Sequence, residues 1–114
     1  MALSDLTQAE RYVVRSCLRA AVDGPFFPDP EFHTIFGLTR DDLAGILDRW
    51  PTLDDREGTD AHLAINNAFN NLLGYPHGEE TAWSKYVATT PQEVARVFAK
   101  WKSKPVKGYF SELD

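Results

Sequence analysis

Apolar residues recur at helical spacing in five stretches of this chain, and each stretch is preceded by a residue suited to start a helix. Thr7 and Glu10 have the form of a capping box, in which side chain and backbone at each position satisfy the other. Val13, Val14, Cys17, Leu18, Ala20 and Ala21 follow as a broad apolar face, Arg11, Arg15 and Arg19 form a stripe one turn apart, and Gly24–Pro25 ends the helix. Asp29 followed by Pro30 predicts an N-cap with proline at the first helical position, opening a helix that buries Phe32, Ile35 and Phe36 and stops at Gly37. Thr39 and Asp42 repeat the capping pattern, with Leu38 and Leu43 as a hydrophobic staple. Leu43, Ile46, Leu47 and Trp50 are the buried stripe there, closed by Pro51.

A fourth helix is expected from Thr59 or Asp60 to Leu73, with Ala61, Ala64, Ile65, Ala68, Phe69, Leu72 and Leu73 inward and Gly74 as its stop. Thr90, Pro91 and Glu93 combine a cap, an N1 proline and a capping-box carboxylate ahead of Val94, Val97, Phe98 and Trp101. A shorter helix fits Glu79 to Tyr86, burying Trp83. Alternation suited to a strand is confined to Tyr86–Thr90 and Val106–Phe110. The pattern therefore predicts an all-α fold: an irregular bundle of about five or six short helices in a single compact domain over residues 1–114, with a basic, loosely ordered tail from about residue 102.

Composition agrees with one core. The chain has 114 residues, 43% of them hydrophobic, and includes seven Phe, four Tyr and three Trp. A chain of this size buries about 65% of its unfolded surface without needing a metal or disulfide. Aromatic packing is expected to dominate, and the rings of Phe26 and Phe27, between two prolines, are expected to be pinned over the core. The same pair is a candidate homodimer contact.

Charge narrows the partner classes. Seventeen acids against twelve bases give a net charge of −5, which disfavours nucleic acid. The stretch from Pro51 to Lys85 is acidic, and Thr52–Gly58 reads as an exposed acidic loop, whereas the C-terminal end is rich in lysine. The lone Cys17 lies in an apolar helical pattern, which fits a reducing compartment. The residues from Met1 to Leu6 lack a basic and then apolar leader pattern, and no apolar run reaches bilayer length. A cytoplasmic location with no membrane partner is therefore expected.

Two groups of residues invite a functional reading. Asn66, Asn67, Asn70 and Asn71 share one arc of the fourth helix, in a residue type that forms helices poorly, so a compensating contact is expected. Amides offer donors and acceptors without a charge to desolvate, which suits either a protein partner or an internal network to loop backbone. Tyr75, His77, Glu79 and Glu80 form the densest titratable grouping and are the alternative, a ligand-binding or hydrolytic loop. Their spacing matches no metal-ligand motif, and the two glutamates suit a helix N-terminus. His33 and His62 lie near apolar faces, Ser16 and Ser84 have no nucleophile elbow, and Cys17 has no activating neighbour in sequence. No glycine-rich phosphate loop is present. The sequence thus supports a protein-interaction, accessory or inhibitor module without catalytic residues, metal or cofactor, over a small enzyme.

Overall fold

The computed structural model describes residues 3–102, which form six α-helices and no strand. These are α1 (Gln8–Asp23), α2 (Asp29–Phe36), α3 (Arg40–Asp48), α4 (Asp60–Gly74), α5 (Trp83–Tyr86) and α6 (Pro91–Lys102). Single 3-10 turns at Leu3–Asp5 and Glu80–Ala82 precede α1 and α5. The possible strand at Val106–Phe110 and the basic tail beyond Lys102 lie outside the described residues. The segment Tyr86–Thr90 is no strand: it ends α5 and bends into α6.

The helix starts follow local chemistry. Thr7 and Glu10 close the expected box on α1, and Thr39 and Asp42 do so on α3. Thr59 caps α4 by accepting from the His62 amide. Three starts or stops differ from the pattern. Helix α2 begins at Asp29 with Pro28 as its N-cap, because the Asp29 carboxylate is drawn to Arg40 instead of the backbone. At α6 the Thr90 hydroxyl accepts from the Glu93 amide, but the Glu93 carboxylate turns to Arg96. Gly74 is the last helical residue of α4, and Tyr75 takes the cap position.

Helices α1 and α4 are the central pair. Helices α3, α5 and α6 pack on α1, and α2, α3 and α6 pack on α4. The buried cluster joins Val14 and Leu18 of α1, Phe36 of α2, Leu43 of α3, Ile65 and Phe69 of α4, and Val94, Val97 and Trp101 of α6. Phe26 and Phe27 are both buried, and their rings meet Phe36, Tyr75, His77 and Trp83 edge-on. Burying a Phe side chain contributes about 1.5–3 kcal/mol. Gly24 permits this fold-back, since a side-chain carbon there would meet the Ala20 carbonyl at 2.7 Å and the Phe26 ring at 2.9 Å.

Long-range polar contacts tie the first and last described elements together. Asp55 is buried, unlike the exposed acidic loop expected around it, and its Oδ2 accepts from the Leu3 amide at 2.8 Å and the Trp101 indole at 2.9 Å. Glu10 accepts from the Thr7 amide, Lys100 and Arg96, which hold the N-terminus of α1 against α6. Arg40 gathers the other side: it donates to the Ala21, Val22 and Phe27 carbonyls and to Asp29, with its guanidinium 4.4 Å over the Phe32 ring. It thereby satisfies carbonyls left free where α1 ends.

Candidate functional site

The asparagine arc of α4 faces the end of α2. Helix α2 stops at Gly37, whose φ of 73° closes one bond back to the His33 carbonyl. The carbonyls of Ile35 and Phe36 then have no partner in their own helix. Asn71 donates to Ile35 at 2.9 Å and Asn67 donates to Phe36 at 2.7 Å, so two amides one turn apart on α4 cap two successive carbonyls of α2. Asn66 donates to the Asn67 side-chain oxygen and accepts from Lys102, which fixes Asn67 with its NH2 toward α2. These three side chains are half-buried, while Asn70 is exposed. The amides that offset their poor helix propensity thus do so by an internal contact between elements 31 and 36 residues apart.

The loop after α4 is built on His77. Its Nδ1 accepts from the Glu79 amide at 2.9 Å, which leaves Nε2 to carry the proton and donate to the Leu72 carbonyl at 3.3 Å. The imidazole therefore closes the last turn of α4 and starts the next segment, with its ring edge-on to Phe26 at 4.9 Å. Tyr75 donates its phenol to Glu31 of α2, and that bond raises the Tyr75 pKa. Trp83 donates its indole N–H to the Thr89 carbonyl at 2.6 Å. Glu79 and Glu80 stand at the 3-10 turn, and Glu80 is exposed.

Between this loop, the last turn of α4 and the start of α6 lies a cleft of about 250 Å³. Leu72, Leu73, Tyr75, Trp83 and Pro91 give it apolar walls, and His77, Glu80 and Gln92 supply its polar groups. Of the four loop residues singled out in the sequence, Tyr75, His77 and Glu80 line this cleft and Glu79 contributes only its amide to His77. Pro91 and Gln92 come from α6, which adjacency in sequence does not bring to this loop.

The remaining nucleophile and base candidates are placed by the core. Cys17 is fully buried, and desolvation pushes its thiol up to about 12. Ser16 donates to the Val13 carbonyl and accepts from the Ala88 amide, bridging α1 to the segment before α6. His62 sits beside the Asp55 carbonyl with its ring 4.9 Å from Trp101, and His33 is exposed on α2. Among the described residues no group of three His, Cys, Asp or Glu side chains is disposed to hold a metal ion, and no helix is long and apolar enough to cross a membrane.

The cap spacing marks Glu10 as the partner of Thr7 but not of Arg96 and Lys100, and no pattern in the sequence marks Arg40 or Asp55. Arg40 sits at the first position of α3 and reads there as ordinary helix polarity, and Asp55 is one of a pair of loop acids. Comparison with models of known protein families, with curated proteins and with solved structures finds no match.

Proposed function

We propose that this chain is a non-enzymatic binding module that recognises a segment of a partner protein in the cleft beside Tyr75, Glu80 and Trp83. The observation that carries the reading is the cleft itself: apolar walls around a volume of about 250 Å³, with the Glu80 carboxylate, unpaired among the described residues, in its lining. A pocket that accepts an apolar anchor beside a charge is the usual centre of a small interface. Glu80 is exposed and engages no other side chain among the described residues, so it complements a basic residue next to that anchor. The asparagine arc is the lesser candidate, because Asn67 and Asn71 already donate to α2 and, among the described residues, only the exposed Asn70 of the four makes no side-chain hydrogen bond.

A non-enzymatic role is supported by the engagement of the reactive groups. Both ring nitrogens of His77 and the hydroxyl of Ser16 hold structural bonds, and the Cys17 thiol is buried. The proposal is tested by selecting random displayed peptides on the full chain. Enriched peptides are expected to pair Lys or Arg with a neighbouring Leu, Phe or Trp, and to lose binding to Glu80→Lys and Trp83→Ala but not to Asn70→Ala. Enrichment that survives both cleft substitutions, or none at all, overturns it.

A further inference from the structure

A second groove lies on the other side of α1, where that helix meets α3, and it encloses about 320 Å³. Arg15, Arg19 and Asp23 line it from α1, and Leu47, Asp48 and Trp50 from the end of α3 and the turn after it. Arg15 and Arg19 are the part of the arginine stripe that the fold leaves unused, since Arg11 donates to the Leu6 carbonyl. Among the described residues none of the four charged groups in the groove holds an ion pair or side-chain hydrogen bond. The Nε of Arg15 is enclosed and has no hydrogen-bond partner. Buried donors in folded proteins are nearly always satisfied, so the unpaired Nε sets Arg15, which lines the groove, apart from the engaged arginines.

The charge pattern selects the ligand. Two guanidinium groups one helical turn apart are suited to a carboxylate or a phosphate, which they grip in a fork. Asp23 and Asp48 stand in the same groove, however, so a dianion meets two like charges while an ammonium group meets two acceptors. The groups together carry no net charge, and Leu47 and Trp50 leave an apolar wall between them and the core. The volume suits a molecule of the smallest ligand class. We infer that the groove between α1 and α3 binds a free α-amino acid with a bulky apolar side chain: carboxylate on Arg15 and Arg19, ammonium on Asp48 and Asp23, and side chain against Leu47 and Trp50. This site is separate from the cleft beside Trp83 and does not depend on it.

The test is a titration of the isotope-labelled full chain with L-leucine and L-phenylalanine, followed by amide and indole resonances. Saturable shifts are expected at Arg15, Arg19, Asp48 and Trp50, with binding weakened about tenfold or more for N-acetyl-leucine, which lacks the ammonium, and for leucinamide, which lacks the carboxylate. Arg19→Gln and Asp48→Asn, both at exposed positions, are expected to weaken binding about tenfold with unchanged melting temperature, and Glu80→Lys is expected to leave it intact. Absence of saturable shifts up to about 10 mM overturns the inference. So does equal binding of N-acetyl-leucine, or inorganic phosphate binding more tightly than leucine, because either outcome makes the groove an anion site only.

Discussion

Arg40 and Arg15 carry the same guanidinium on two helices that pack together, yet the fold uses them in opposite ways. Arg40 reaches Asp29 and the carbonyls of Ala21, Val22 and Phe27, so every bond it makes closes the junction where α1 ends and α2 begins. Arg15 leaves its enclosed Nε with no partner, and Arg19 beside it engages nothing among the described residues. Type of residue does not separate the two. What separates them is whether a helix end lies within reach, because the last carbonyls of a helix are the backbone's standing demand for donors. The same division runs through the carboxylates, with Glu10 and Asp55 engaged and Glu80 and Asp48 without a side-chain partner among the described residues, and through the amides of α4.

The largest effect that tests this division is expected at Arg40. Arg40→Ala removes the donor from three carbonyls and the counter-charge from Asp29, and water replaces only part of that because the side chain is 26% exposed. A loss of about 2–4 kcal/mol in urea unfolding is expected, against a change within about 0.5 kcal/mol for Arg19→Ala. Equal losses in the two variants would erase the distinction between engaged and free arginines.

Glu10 gives the next effect and carries a pH signature. Lys100, the Thr7 amide and Arg96 hold its carboxyl down from 4.5 to about 2, against the desolvation that pushes it up. The folded state therefore favours the carboxylate more than the unfolded chain does. Its contribution is fully present above pH 4.5 and is lost as the pH falls toward about 2. Glu10→Gln keeps an acceptor for Thr7 but removes the charge, and is expected to cost about 1–3 kcal/mol at neutral pH. The gap between wild type and variant should close on acidification through that window. Asp54, which Arg56 also holds down to about 2, is present in both proteins and cancels from the difference. A gap independent of pH would mean that the Glu10 contacts act through packing alone.

The helix starts were legible because a cap is a local event: Thr7 with Glu10, Thr39 with Asp42 and Thr59 with the His62 amide all act within one turn. The apolar faces were legible for the same reason, through a fixed angular spacing. Contacts that hold those helices in place were not. Glu10 meets Arg96 and Lys100 across 86 and 90 residues, and Asp55 meets Trp101 across 46, separations for which no periodicity exists. Asp29 was misplaced by one position because its competitor, Arg40, comes from the following helix. The loop from Tyr75 to Glu80 stood out by its chemistry, but His77 proves to be a strut whose two nitrogens join α4 to the next turn. The asparagine run stood out by composition, while its target, the end of α2, depends on how α2 and α4 cross.

That target yields the smallest effects and the cleanest sign. Asn is a weak helix former, so Asn→Ala on a free helix face stabilises by up to about 0.7 kcal/mol. Asn70 is exposed, and Asn70→Ala is expected to show that gain. At Asn67 the same gain is opposed by loss of the bond to the Phe36 carbonyl, with a cost of about 1–3 kcal/mol for a part-buried acceptor left unpaired. Asn67→Ala should therefore destabilise, and Asn71→Ala should do so to a similar extent through the Ile35 carbonyl. Thermal melts of the three variants decide the matter by sign alone. If Asn67→Ala raised the melting temperature as Asn70→Ala does, the bond to α2 would contribute nothing net, and the whole arc would again be available as a recognition surface. Opposite signs on neighbouring asparagines of one helix separate Asn70, which a partner can meet without disturbing the fold, from Asn67 and Asn71, which it cannot.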